Sequence, residues 1–504
     1  MQRYHVKLLA VSLLFLCLLP VRLPAALPFY INWEVRPSAG NDNNGGGFVS
    51  SNCSSPGTDW SQQNSPQYAI TTATTAGASA TFATALAAAD MVCNVLQVIS
   101  GTNFTTGFYQ IISVVAGVSV TVDRNIATGV GASGVINIGG ALATLPKAVT
   151  ASQVQELSTI YIKNTGTVTL TSVQTLAFNL TAVIGYGTTR TDGTRVTITT
   201  STNSVSLFTN NGAIFNFKFQ NINFTNTAGT PLYAYVSSNT NASGPVFFDN
   251  CSFSGFSSAV RGDNNVNFQI NHLVFTNSEI KNSVLDGIFN TNGVLVVAGS
   301  YIHDNGGAGI HVSANGGGYG GTTTVIHSII KSNTLSGILN SNGNVPTGVN
   351  DAYHWNSIYN SALISNGRSG IEITNTGTDS LIAWNNIFYA NTRYGIETQQ
   401  SATDPYFLIS ALMDGRSNAF RLNGIAQVLG FPAGTGTISL TADPFVSQAG
   451  NNFALNSTAG GGAALKGLGF PGTLAIGGTG AIDIGPLQST AAAAAGQKAF
   501  GFTQ

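Results

Sequence analysis

The chain has 504 residues, a formal net charge of −1, 59 glycines and only 8% Asp, Glu, Lys and Arg, against about 25% in ordinary globular chains. No basic run follows the first seven residues, which argues against nucleic acid as a partner, since phosphate binding needs clustered Lys and Arg. The length allows several domains or one long solenoid, and the abundant Gly, Asn, Ser and Thr suit a molecule solvated by hydroxyls and amides.

Residues 1–26 read as a secretory signal: Arg3, His5 and Lys7 precede 8–19, apolar except for Ser12, and Ala25-Ala26 follow Pro20. That apolar run is too short to span a bilayer, so no transmembrane anchor is expected, and the location is secreted or cell-surface. The alternatives are a misassigned start or an N-terminal buried strand. With 1–26 removed, Cys53, Cys93 and Cys251 remain. Cys53 and Cys93 share the N-terminal region and can pair in an oxidising compartment, whereas Cys251 reads as a small buried residue. No cysteines have metal-ligand spacing, so no metal site is expected.

Residues 27–138 read as a β-rich cap closing the open end of a solenoid. Asn32-Trp-Glu-Val-Arg and the glycine-rich loop 40–47 lead into a short helix candidate at 81–91 and strands at 95–99, 107–112 and 118–122. The solenoid itself is expected over 139–488. An amphipathic helix at about 139–149 covers its first coil, and strands at 160–163, 168–171, 182–186 and 194–198 start the coils near 155.

The clearest signal is a repeat, [Ser/Asn]-x-apolar-x-x-Asn-x-x-x-Gly-Ile, at 300–310, 328–338, 361–371 and 386–396. A copy at 278–288 has Ser283 in the Asn place, and looser copies run from Phe253 to Val260 and from Phe224 to Leu232. The first apolar anchors are 280, 302, 330, 363 and 388, so the steps are 22, 28, 33 and 25 residues. Such units are too small to bury an apolar face alone and must stack. The local alternation has period two, and no stretch of period 3.6 separates the strands, which disfavours a leucine-rich solenoid. Paired short strands at this spacing stack as coils about 4.8 Å apart, with right-handed crossovers. The Asn is expected to take a left-handed turn conformation and to ladder from coil to coil, and the Gly to supply a φ that a side chain resists. After 399 the regularity fades. Asp443-Pro-Phe-Val, Asn452-Phe-Ala-Leu and Ala481-Ile-Asp-Ile-Gly read as final, shorter coils, and 489–504 as a low-complexity tail.

Through its repeated Asn-x-x-x-Gly-Ile, the chain resembles the pectin-lyase-like right-handed parallel β-helix superfamily over roughly 140–488. The stretch from Asp443 to Gly485 resembles the closing coil of secreted bacterial members, and the opening Asn32-Trp-Glu-Val-Arg resembles β-helix proteins of phage-like genomes. The resemblance implies an all-β, right-handed solenoid. It leaves activity open, because the superfamily holds lyases, hydrolases, tailspikes, adhesins and inert surface proteins.

Two registers carry ionisable groups. Glu372 and Glu397 follow the second anchor, with His311 in line; all three are expected to point outward, with the carboxylates on adjacent coils. Arg368 and Arg393 stand four residues earlier. Carboxylates about 5–5.5 Å apart serve retaining glycosidases; the plainer reading, which is preferred, is a charge-balanced ladder. Two longer coils add residues near 314–324 and 341–355, bringing Tyr319, Asp351, Tyr353, His354 and Trp355 into neighbouring loops. Aromatic rings beside a carboxylate and an imidazole suit sugar stacking, although the rings would equally pin a loop to the coil. His303, Asp304 and Asp249 read as isolated, with Asp304 facing inward.

No Asn-Thr-Asp, paired-Asp and Arg-Ile-Lys set of the polygalacturonase kind is present, nor a Ca²⁺-type Asp cluster of the pectate lyase kind. No cofactor is therefore expected, Ca²⁺ being the ion a lyase would use. The outward positions of the first strand become apolar towards the C-terminal coils, which calls for a covering segment or a partner subunit; by resemblance, the partner would make a homotrimer. The preferred reading is an exported, noncatalytic surface or appendage protein that binds a polysaccharide or surface glycan, or assembles with itself. The alternatives are a polysaccharide lyase or glycoside hydrolase using Glu372 with Glu397, or Asp351 with His354, and a phage tailspike or fibre located in the virion.

Overall fold

The computed structural model describes residues 31–487 except 50–68, 71–73, 77–78, 82–90, 128–131, 139, 153–156, 177–179, 211–215, 228–231, 238–243, 263–270, 292, 315–320, 343–354, 375–378, 399–412, 432–433 and 471–482. The proposed signal, the tail, Cys53 and most of the helix candidate at 81–91 lie outside the described residues. Among the described residues no helix is long and apolar enough to cross a membrane.

Among the described residues three long sheets of 12, 11 and 10 strands run along the molecule, parallel except for the edge strand Gly47–Val49 of the first, and each coil contributes one strand to each in turn. This is a right-handed parallel β-helix. The coil containing Asn271–Thr276, Glu279–Lys281 and Ile288–Thr291 pairs residue for residue with Gly293–Ala298, Tyr301–His303 and Ile310–Ala314 of the next. The anchors stack as the repeat requires: Ile280, Ile302, Ile330, Leu363, Phe388 and Phe420 form one buried file. Phe248 and Phe275 stack inside the first sheet at 4.8 Å between ring centres.

Beside the apolar files run two polar ones. Asn305 Nδ2 donates to Asn333 Oδ1 at 2.8 Å, Asn333 to Asn366 at 3.1 Å, Asn366 to Asn391 at 3.0 Å and Asn391 to Asn423 at 3.0 Å. Each acceptor oxygen also takes the backbone N–H of the Asn one coil earlier. At the preceding bend, the N–H groups of Ser278, Ser300 and Ser328 each donate to the next coil's Ser hydroxyl at 3.2 Å, and Ser361 continues to Asn386 and then Asn418. These bends need buried backbone groups satisfied without a sheet, and the ladders satisfy them.

The turn roles differ from those expected. The left-handed residues are Asn282, Asp304, Ser332, Ser365, Ala390 and Leu422, each one place before the ladder residue. The ladder amide must face the interior, so the bend falls on its outward neighbour. The template glycines do not occupy the left-handed region. They are needed for close approach: a Cβ on Gly370 would lie 2.6 Å from Gly395 O and 2.7 Å from Phe388 Cδ1. The repeat also continues one coil beyond its last full copy at 386–396, with Asn418, Phe420, Asn423 and Val428 in the template positions.

At the base, Ile31–Val35 pairs with Ser158–Lys163, so this strand belongs to the first solenoid sheet rather than to a separate cap. Its Glu34 is buried and paired with Arg36 and Arg190, and Tyr186 donates to it. The helix Leu145–Ser152 packs across this end with Leu145, Ala148 and Val149 in the core, and Asp42 takes the N–H of Thr144 at its start. An antiparallel seven-stranded sheet, including Val95–Thr102, Gly107–Val115, Ser119–Val122 and Ala132–Ile138, has a core of its own. Cys93, at its start, is in a disulfide whose partner lies outside the described residues. Cys251 is a free, buried thiol, pushed up to about 12 by burial.

The C-terminal stretch is not a set of shorter coils. Phe445–Ser447 and Asn452–Leu455 form an antiparallel hairpin. Phe445, Phe453, Leu455, Leu465 and Ile484 cover Tyr301, Ile329, Ala362, Ile364, Ile387 and Tyr389 on the outside of the second sheet. The apolar stripe that invited a trimer is therefore buried by the chain's own C-terminal segment.

Both the ladder and the covered stripe can be tested by stability. Asn366→Ala orphans buried partners on both neighbouring coils and should cost about 2–4 kcal/mol, read from the shift of the denaturant midpoint. Truncation after residue 437 should bare the stripe, raising hydrophobic-dye binding and self-association in sedimentation velocity, whereas the full chain stays monomeric.

Candidate functional site

The unequal repeat steps have one structural origin. In the repeat coils from Asn271 on, each connection between the first and second sheets is a two-residue bend, for example Asn277-Ser278, Gly299-Ser300 and His327-Ser328. Between the second and third, the connections 282–287, 304–309, 332–337 and 365–370 have equal length. The variation falls between the third sheet and the next first-sheet strand, at 263–270, 315–321, 343–354, 374–379 and 399–412. These connections all join the third sheet to the first, along one seam of the solenoid, and loops on a rigid frame are where binding groups are usually carried.

Trp355 opens the strand Trp355–Tyr359 on that seam and is 47% exposed, between Thr322 and Ser380 in register. Further along the same strand, Tyr359 meets Trp384 at 5.4 Å between ring centres, and Arg416 lies over Trp384. Tyr319, Asp351, Tyr353 and His354 lie outside the described residues.

The outer wall of the third sheet carries the register Arg261, Phe289, His311, Leu339, Glu372, Glu397 and Leu429. Glu372 and Glu397 do stand on adjacent coils and on the outward side. However, they are 0% and 1% exposed, not solvated. Ser336 and Arg368 close over Glu372. Ser369 donates to Glu397 Oε2 at 2.6 Å, and Arg393 lies 2.7 Å from its Oε1. Each carboxylate is thus held by a serine from the coil before and an arginine of its own coil, the charge-balanced ladder. Arg368 and Arg393 lie against these carboxylates and remain about one-third exposed.

His311 occupies the same slot and meets a different pair. Its Nδ1 is 2.9 Å from Asp286 Oδ2, a carboxylate oxygen that can only accept, and its Nε2 is 2.7 Å from Ser341 Oγ. Asp286 Oδ1 takes the Ala308 N–H at 2.7 Å. Sequence reasoning placed His311 in register but missed both partners. Asp286 is found at the position that Ser336 and Ser369 fill in later coils, a signal present in the aligned repeat.

A second histidine lies on the outside of the second sheet. His303 Nδ1 is 2.7 Å from Asp304 and its Nε2 is 3.2 Å from Glu279, while Tyr301 stacks on the ring. His303 and Asp304 are therefore not isolated, and Asp304 is an exposed, left-handed turn residue rather than an inward one. Asp249 is likewise engaged, by Lys218, Gln220 and Thr276. Among the described residues no group of three His, Cys, Asp or Glu could hold a metal ion.

No protein-family model matches the chain, and no curated protein matches it. Solved structures do. Pectate lyase Pel9A is 14% identical with a TM-score of 0.39, covering 69% of this chain and 91% of its own. The Azotobacter vinelandii mannuronan C-5 epimerase AlgE4 A-module is 12% identical with a TM-score of 0.35, covering 58% and 94%. The catalytic domain of a GH87 α-1,3-glucanase, solved in complex with nigerose, is 11% identical with a TM-score of 0.34, covering 73% and 91%. The architecture of this chain stands on its own three parallel sheets.

The hydrogen bond from His303, with Lys281 beside it, outweighs burial and holds the Glu279 carboxyl at about 2. A carboxylate depressed on folding stabilises fully above its unfolded value and loses that contribution as pH falls through the folded one. Thermal unfolding of the wild type should therefore lose stability between about pH 4.5 and 2, and Glu279→Gln should flatten that part of the profile.

Proposed function

We propose that this chain is an exported surface protein whose solenoid binds a polysaccharide along the seam between the third and first sheets and does not cut its glycosidic bonds. The observation that carries this reading is the half-exposed indole of Trp355 at the end of the connection 343–354, on the seam that takes up the variation in coil length. A planar ring beside the partly exposed Thr322 offers an apolar face for a sugar ring with a hydroxyl to orient it.

Two further features support binding over cleavage. Glu372 and Glu397 are buried against serine and arginine, which supports a structural role over one in protonating or attacking a glycosidic bond. The apolar stripe is covered in cis, which supports a single chain presenting its seam over an assembly through the second sheet. The glycan's length would lie across several coils, as a series of weak contacts on a rigid wall.

The test is titration of neutral and acidic polysaccharides, monitored by Trp fluorescence and calorimetry. Trp355→Ala should weaken binding about tenfold, the loss of roughly 1.4 kcal/mol expected of one stacked ring. Glu397→Gln should leave affinity unchanged. Release of reducing ends or unsaturated products by the wild type, abolished in Glu397→Gln, would overturn the reading.

A further inference from the structure

We propose that Ser341, His311 and Asp286 form an acyl-transfer site that hydrolyses short-chain carboxylic esters, an activity separate from glycan binding and not dependent on it. The three residues come from three successive coils and meet at hydrogen-bonding distance: Ser341 Oγ to His311 Nε2 is 2.7 Å, and His311 Nδ1 to Asp286 Oδ2 is 2.9 Å. The order matters chemically. Asp286 is fixed by the Ala308 N–H on its other oxygen, so Oδ2 accepts the hydrogen bond from Nδ1–H, which holds the tautomer whose Nε2 lone pair is directed at the serine hydroxyl. That is the arrangement in which an imidazole serves as general base for a hydroxyl nucleophile.

Comparison with the neighbouring coils separates this from wall chemistry. The same two positions, the residue two before the second anchor and the one following it on the next coil, are Ser336 with Glu372 and Ser369 with Glu397. There, Arg368 and Arg393 stand three residues before the anchor and lie against each carboxylate, which is fully buried. In the coil of His311 that place is Gly307. A side chain there would collide with Asp286, since a Cβ would lie 2.4 Å from Asp286 Oδ1. Glycine therefore admits the aspartate and omits the arginine, and the imidazole stays partly open to solvent. Ser341 lies near the end of Ile338–Asn342, at the seam between the third and first sheets.

The site fits a small acyl group. His311 stands between the edge-on Phe289 ring, 5.0 Å away, and Leu339 on the next coil, and neighbouring strands are only about 4.8 Å apart. In the first step Ser341 Oγ bonds to the ester carbonyl carbon as its proton passes to His311 Nε2. The ester C–O bond then breaks, and the leaving alkoxide takes that proton, giving acyl-Ser341 and the alcohol. Water, deprotonated by His311, attacks the acyl carbon; Ser341 leaves with the proton, and the carboxylic acid is released. Ester and water become acid and alcohol, with no oxidant or metal required. Ser341 and His311 are the catalytic residues, and Asp286 is a positioning residue.

The test uses the full chain with p-nitrophenyl acetate as substrate and a fluorophosphonate as active-site probe. The wild type should hydrolyse the ester and take up one phosphonyl group on Ser341, located by peptide mass spectrometry. Ser341→Ala should remove both, with hydrolysis falling about a thousandfold. Asp286→Asn should lower kcat with KM retained, and Asp286→Glu should recover part of kcat, a split that a purely structural role would not produce. Absence of phosphonylation at Ser341 in folded wild type, or hydrolysis undiminished in Ser341→Ala, would overturn the proposal. Both readouts are independent of polysaccharide affinity, so failure here leaves the binding reading to its own test.

Discussion

The structure depends on hydrogen bonds passed from one coil to the next, by main chain along the sheets and by side-chain amides and hydroxyls at the bends. A solenoid coil this small has no core of its own, so its apolar anchors are buried only when the next coil is in register. Sheet pairing sets that register along the strands. At the bends, where no sheet exists, the Asn305-to-Asn423 and Ser278-to-Asn418 ladders set it instead. Each interior amide is both donor and acceptor, so removal of one orphans partners on both sides. This explains the low charge of the chain: neutral amides and hydroxyls meet the wall's polar needs without the desolvation cost of ions.

The same constraint decides where variation is tolerated. In the repeat coils from Asn271 on, two of the three corners are fixed in length by ladder residues, and the third is free. Additions to the chain therefore emerge on one seam, where they disturb neither file nor ladder. Trp355 and Ser341 sit on either side of the same connection for that reason. The frame is rigid beneath them, which suits both an extended ligand and a relay that must hold three side chains in line.

The repeat made the architecture legible. Template spacing placed Ile280, Ile302, Ile330, Leu363 and Phe388 in one file, put Glu372 beside Glu397 and named the ladder Asn residues, because strand alternation and identical spacing carry over directly into stacking. Backbone detail at the bends was less legible. An Asn that ladders and an Asn that turns are the same letter, and only the coordinates put the left-handed residue one place earlier, at Asp304 or Ser365. Burial of the two glutamates also escaped the pattern. An outward register position is normally solvated, and here serine and arginine from neighbouring positions close over it.

By itself, then, the sequence determined the solenoid, its inward files and the polar character of its bends, because all three arise from local periodicity repeated at fixed spacing. Tertiary structure alone decided that the C-terminal segment covers the second sheet, that Ile31–Val35 starts the first, and that Asp286 and Ser341 reach the two nitrogens of His311. Those contacts join residues 25 to more than 100 positions apart. They depend on which coil lies above which and on what the connecting loops allow to pass, neither of which any window of sequence contains.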